Sequence, residues 1–362
     1  MLTNKIVKTQ FDFVGLDGVK GTFPRTVLFN ALTTGTAIKT YENLFQVEQD
    51  HTDNDTHTFA KHYFSNGGAK LTVINNAESK DPEVRVQELA ENEELKDVVM
   101  FAFTEITTAK IGDVDIVLEG LEAPNQLIGV FYTNDKANEL TDGLGDFSVI
   151  YFNEEAQSHA VIPAYFSRIR VDRANTLRNI EYHNINIDGE PFDDYIFKGS
   201  EYDTLIGKNN NFVIKVSDRT VLAGGITAQG IQIAVVFATI TMQKQIQTKV
   251  VEFLSDSKPY LNSEGVAQVR SVITPILEAY RSNGILGGFD DVWVYPTQTV
   301  TYNDKTFKPV RKGDVLAKGY SLFIPTNISD ADISSKQLPP IYIYLIMQGN
   351  IRTIEIKGKV GV

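Results

Sequence analysis

The chain has no cysteine among its 362 residues. Disulfides, thiolate metal sites and cysteine nucleophiles are therefore excluded. It also lacks an excess of positive charge: 34 Lys and Arg stand against 46 Asp and Glu, a net charge of −12. No Lys/Arg cluster forms a phosphate-binding track. A nucleic-acid binder needs a basic face, so the charge argues against that class. No apolar run is long enough to cross a bilayer, which takes about 20 residues. The longest, Ile231 to Met242, is broken by Gln232 and two threonines, so no membrane insertion is expected. The start, Met1-Leu2-Thr3-Asn4-Lys5, has neither the apolar core nor the cleavage site of a signal peptide. The sequons at Asn54 and Asn327 accordingly read as incidental.

Signatures of chemistry are missing too. His51, His57 and His62 lie among Asp50, Asp53 and Asp55, but the spacing fits no common metal-ligand pattern and no glycine sits at a calcium-loop turn. The aspartates read as caps and solvated charges. His159 and His183 are isolated and read as surface or half-buried residues. Gly207-Lys208 is followed by Asn209, with no matching upstream glycine, and Gly224 to Gly230 departs from the dinucleotide fingerprint. Neither a Gly-x-Ser-x-Gly elbow nor a His-Glu-x-x-His helix occurs. Glu88, Glu91, Glu93 and Glu94 read as the solvated side of a helix. The expectation is a protein that is not an enzyme and uses no cofactor, metal or nucleotide.

What is present is a folded composition, 42% hydrophobic and 22% charged, on a chain long enough for two domains. Apolar β-rich runs at 26–30, 71–75, 98–103, 127–132 and 147–152 alternate with helical patterns. One of these is a helix over Thr56 to Phe64, stopped by Asn66-Gly67-Gly68, and another runs from Asp81-Pro82 to about Asn92. Such alternation predicts a largely parallel sheet with helices packed on it. Residues 153–168 read as a helix interrupted by Pro163, and 174–227 as mixed, turn-rich text. Ile233 to Val236 reads as a strand. Met242, Ile246, Val250, Phe253 and Leu254 then form one face of a helix. A second helix, capped by Asn262 or Ser263, carries the stripe Val266, Val269, Val272, Ile273, Ile276, Leu277 and Tyr280 and ends at Asn283-Gly284, with Pro275 inside it.

Both ends are rich in strand-forming residues. Ile341 to Met347, a Gln348-Gly349-Asn350 turn and Ile351 to Lys357 read as a hairpin whose first strand is apolar on both faces. Ile6, Val7, Phe11 and Phe13 form a short β pattern loosened by the glycines at 15, 18 and 21. The fold class expected is mixed α/β (α+β): a sheet core flanked by helices, a C-terminal domain with a helix pair and terminal β-hairpin, and extended N- and C-terminal arms. The divisions are an arm at 1–20, an α/β domain at 21–218, a C-terminal core with the helix pair at 219–337, and terminal strands and arm at 338–362.

Three segments in this order resemble the sheath proteins of contractile bacteriophage tails. They are the helix leading into Tyr63-Phe64-Ser65-Asn66-Gly67-Gly68-Ala69-Lys70-Leu71-Thr72-Val73; the 230–290 stretch with its helix pair, Lys258-Pro259-Tyr260 loop and glycine-ended second helix; and the terminal hairpin. The resemblance implies a structural subunit that polymerises as stacked hexameric rings around a tail tube protein and contracts to drive the tube through the host envelope. It implies baseplate and tail terminator proteins as further partners, and a place in the virion after assembly in the bacterial cytoplasm. The arms would add strands to neighbouring sheets through Ile6, Val7, Phe11, Phe13, Ile341, Ile343, Leu345, Ile351, Ile354 and Ile356, so that proline at Ile343 or Ile354 acts like loss of an arm. Arg270 and Arg281, off the stripe of the second helix, are candidates to face the tube. The alternatives are an α/β enzyme without a recognisable motif, and another tail or ring component. A tube protein is expected to be a smaller β-barrel, which the helix pair disfavours.

Overall fold

The computed structural model describes residues 7–11, 24–32, 37–52, 54–122, 125–134, 143–152, 157–169, 180–181, 183–186, 199–216, 218–257, 260, 262–287, 297–310, 318–328 and 339–346. After a first strand, β1 (Val7–Phe11), the chain builds a six-stranded sheet. Its strands are β2 (Arg25–Asn30), β3 (Ile38–Tyr41), β4 (Leu71–Asn75), β5 (Val98–Phe103), β6 (Ile128–Thr133) and β7 (Ser148–Phe152). The order is β3-β4-β2-β5-β6-β7, parallel throughout except for β3 on one edge. The expected parallel sheet is therefore present.

Helices cover both faces, which is why these strands are apolar without alternation. Helices α1 (Leu44–Glu48) and α2 (Asp55–Ser65) follow β3, α3 (Pro82–Glu91) follows β4 and α4 (Thr108–Gly120) follows β5; α5 (Val161–Ser167) comes after β7. Val27, Phe29, Phe101, Phe103, Phe131 and Ile150 face α3 and α4. Leu28, Val73 and Ala102 face α2 and Ala164 of α5. Asn54 caps α2 by accepting from the His57 amide, and the helix stops at Asn66 with Gly67 left-handed. Asp81 precedes Pro82 as expected but makes no side-chain cap bond. Its carboxylate sits 3.3 Å from Lys110 instead. Pro163 falls in the first turn of α5, where no intrahelical donor is lost.

Helix α6 (Gly199–Gly207) leads to a hairpin of β8 (Phe212–Val216) and β9 (Arg219–Ala223). The expected division at 218/219 lies in the turn of this hairpin. Asn211, fully buried, stitches the hairpin to the sheet: its Nδ2 donates to the carbonyls of Ile150 and Ile226, and its Oδ1 accepts from the Ile226 amide. Gly224 passes so close that a Cβ would lie 2.8 Å from the Asn210 carbonyl, at a φ of +98°.

The segment read as a strand at Ile233 to Val236 is helical. It begins α7 (Ile233–Ser257), which runs antiparallel-packed against α8 (Ser263–Ser282). The reason is two-sided burial. Ile233, Val236, Phe237 and Ile240 pack on the sheet and α5, while Ala238, Met242 and Ile246 pack on α8. A helix enclosed on both sides loses its polar face, and a short apolar run then carries no readable period. Lys244 ties α7 to the sheet, donating to the carbonyls of Lys96 (3.0 Å) and Val98 (2.7 Å). Lys96 precedes β5, and the β2–β5 register shifts just after Val98. Burial pulls the Lys244 pKa down to about 8, against the partial support of Asp97. Both helix stripes read from the sequence face this core, and Asn262 caps α8 by accepting from the Gly265 amide.

Candidate assembly interface

Beyond α8 the chain forms a hairpin of β10 (Gln298–Tyr302) and β11 (Lys305–Val310), then β12 (Tyr320–Phe323) and β13 (Ile341–Leu345). The last two join the first strand of the chain in a three-stranded antiparallel sheet of order β1-β13-β12. Ile343 stands opposite Thr9 on one side and Leu322 on the other.

Strand β13 is apolar on both faces because both are covered. Ile341, Ile343 and Leu345 pack on the α7–α8 pair. Tyr342 and Tyr344 pack with Val300 and Val310 of the β10–β11 hairpin. The expected C-terminal arm thus divides. Residues 341–345 are a central core strand of this chain, whereas Ile351, Ile354 and Ile356 lie outside the described residues. Val7 and Phe11 fall within β1, while Ile6 and Phe13 lie outside the described residues. Among those residues β1 pairs with β13 alone, and residues 12–23 separate it from β2. Each outer strand, β1 and β12, keeps one edge unpaired among the described residues.

Arg270 and Arg281 are both exposed on α8, about three turns apart and so on one face. Arg281 is engaged: its Nη1 donates to Glu278 Oε2 (3.2 Å), and Glu278 Oε1 accepts from Tyr320 Oη (2.5 Å). The Tyr320 bond, then Arg281, hold the Glu278 carboxyl below its usual range. Arg270 forms no ion pair with a described residue.

The histidine-rich segment is structural in layout. Asp50 accepts from Lys39 Nζ and from Tyr41 Oη (2.9 Å), and His57 faces Glu48 at 3.6 Å. Asp53 lies outside the described residues. Among those residues no group of three His, Asp or Glu is placed to hold a metal. His183 is half-buried, with Nε2 2.7 Å from Arg168. His159 corrects the sequence reading: it is fully buried, between Phe59 and Tyr132, with Nε2 on the Phe103 carbonyl at 3.2 Å. A lone histidine in polar text carries no burial signal; it becomes buried because the turn before α5 folds over the carboxyl ends of the strands.

Those ends matter for the enzyme alternative. In an open α/β sheet, ligands bind where the strand order reverses, here between β2 and β5. There the chain makes hydrogen bonds of its own across the strand ends. Gln157 donates to the Thr104 carbonyl (2.8 Å), and Thr104 Oγ1 accepts from the Ala31 amide (3.3 Å).

Burial also makes His159 an acid sensor of stability. Burial pushes its pKa down to about 3, with the Phe103 bond opposing and His62 adding to the effect. The unfolded chain, with a histidine pKa near 6.5, therefore binds the proton first. Stability is complete above that value and is lost as pH falls, by about 2 kcal/mol at pH 5. His51 and His183 are shifted the same way by burial. Urea midpoints at neutral and mildly acid pH should therefore diverge in the parent chain and diverge less in His159→Gln. Equal pH slopes in the two would remove His159 from this role.

No family model matches the chain, and no curated relative does. Solved structures do match. A chain of the anti-feeding prophage baseplate superposes with a TM-score of 0.66 at 13% identity, covering 97% of both chains. The helical sheath of the same particle in its contracted state gives 0.64 at 13% identity, over 96% of this chain and 97% of that one. A sheath tail protein from Desulfitobacterium hafniense gives 0.54 at 9% identity, over 92% of this chain and 99% of that one. The chain has the fold of contractile-tail sheath proteins over nearly its whole length.

Proposed function

We propose that this chain is a structural subunit of a contractile tail sheath, polymerising as stacked six-membered rings around a tail tube and anchored to a baseplate. The observation that carries this reading is the match of nearly the whole chain to a helical sheath in its contracted state. A likeness confined to the α/β sheet would leave an enzyme equally favoured. Here the match extends over the helix pair and the terminal sheet too.

The joints between subunits are main-chain joints. In this reading β1 leaves its own sheet and adds the same strand, in the same register, to β13 of a neighbour. Main-chain pairing tolerates a rigid-body turn of each subunit about the joint, so rings reorient without separating. The strand pattern around Ile351, Ile354 and Ile356 serves a second neighbour in the same manner. Stored energy resides in the subunit contacts of the extended lattice and is released as contraction spreads from the baseplate. Tail terminator contacts close the far end. Assembly takes place in the host cytoplasm, and the product is part of the virion.

Negative-stain images of the purified protein test this reading, with rings or tubes expected. A uniform field of monomers under all conditions that polymerise sheath-fold proteins would contradict it. Within this reading Arg270 and Arg281 face an acidic tube. Exposed ion pairs contribute about 0–1 kcal/mol each, so the effect depends on repetition along the lattice. Arg270→Glu with Arg281→Glu should weaken sheath-on-tube co-assembly while leaving the melt intact; Arg270, the less engaged of the two, should account for most of the loss. Undiminished co-assembly of the double variant would remove the tube-facing assignment.

A further inference from the structure

We propose that the cavity at the carboxyl ends of β2 and β4 binds a carboxylate carried on an apolar body, with the Arg85 guanidinium as its partner. Arg85 lies on α3 and is only 7% exposed. Its guanidinium stacks on Phe29 at 4.6 Å and reaches Phe103 at 6.0 Å. Its Nη2 donates to the Asn30 carbonyl (3.2 Å) and the Ile74 carbonyl (2.6 Å). Nε and Nη1 make no hydrogen bond with a described residue, and neither is sealed inside protein.

Arg85 lines a cavity of about 220 Å³. The surrounding wall is mostly apolar, from Phe29, Ile74, Leu89 and Leu95. Two acids stand at the rim, Glu78 and Glu88, and both are held by Lys80 Nζ at 2.7 and 2.5 Å. Lys80 balances only one of these two acids, yet neither of them forms an ion pair with Arg85, so the guanidinium is a buried cation without a direct carboxylate partner among the described residues. Burial pulls its pKa down to about 10, with Glu88 opposing.

A buried charge without a direct ion-pair partner is costly, and an incoming carboxylate relieves that cost through charge-assisted hydrogen bonds. The apolar wall selects a ligand with a hydrocarbon body over a bare inorganic anion. A free aliphatic carboxylate has this chemistry. So does an acidic side chain of another copy of this chain, whose 46 Asp and Glu make such groups plentiful.

Thermal melts of the full chain in isovalerate test the proposal, with chloride at equal ionic strength and the neutral isovaleramide as controls. The expected result is a concentration-dependent rise in Tm of a few degrees in isovalerate alone. The rise should vanish in Arg85→Gln, and also in Leu89→Phe, which fills the cavity and leaves the guanidinium in place should Arg85→Gln fail to fold. No rise in the parent chain, or an equal rise in Leu89→Phe, overturns the proposal. Sedimentation of the assembled protein separates the two sources. Isovalerate that loosens assembly identifies a neighbour's side chain as the occupant, whereas a shifted melt with assembly unchanged identifies a free carboxylate.

Discussion

Proline at Ile343 should abolish the cooperative fold. Ile343 is the middle residue of a strand paired on both sides, with its side chain 1% exposed against α7 and α8. Proline removes a ladder donor and is not tolerated in a central strand. It also replaces a side chain whose loss from a core costs about 2–5 kcal/mol. With the backbone penalty of about 3 kcal/mol or more, the sum approaches the whole stability of a typical domain, about 5–15 kcal/mol. Near-ultraviolet circular dichroism and a urea melt of Ile343→Pro should show lost tertiary signal and no cooperative transition. A native-like melt would mean that β13 is peripheral and the burial described for it is not maintained in solution.

Deletion of residues 1–20 should have the opposite character: folding kept, assembly lost. Strand β1 pairs with β13 alone among the described residues. Its ladder bonds contribute about 1 kcal/mol each, while ordering each residue costs about 1–2 kcal/mol. The two roughly cancel, so a monomer gains little from holding its own β1. A lattice in which every subunit is joined through this strand loses every such joint at once. Sedimentation should show the deleted chain as a folded monomer with a cooperative melt under conditions that polymerise the full chain. An insoluble or molten product would place β1 in the obligatory core and remove the main support for strand exchange.

The difference between these two variants was not legible in the sequence, where both ends read as strands without local partners. The apolar runs of β2 and β4 to β7 were readable because two-sided cover makes them continuous, and α2 and α8 because Asn66-Gly67 and Asn262 mark their ends. Helix α4 left little trace: Gly112 sits inside it and Thr107 makes no side-chain cap bond. The start of α7 was read as a strand because enclosure on two sides removed its polar face. The burial of Arg85 and Lys244 was not legible either, because no local pattern marks a buried cation that donates to carbonyls distant in sequence. Partner choice for β13 is likewise non-local. Residue pattern says that a strand needs a sheet; it does not say whose.

Whose sheet accepts β1 is the central question, and the absence of cysteine makes it directly measurable. Gln10 stands opposite Tyr342 in the β1–β13 register, and directly opposed antiparallel positions are about 4.5–5.5 Å apart, within disulfide range. Gln10→Cys with Tyr342→Cys, oxidised in assembled tubes and run on a denaturing gel without reductant, reads the connectivity. Strand exchange is expected to give a ladder of covalent multimers from tubes. Cross-linked monomers alone, from tubes as from free subunits, would contradict it and leave the subunits joined by side-chain contacts only.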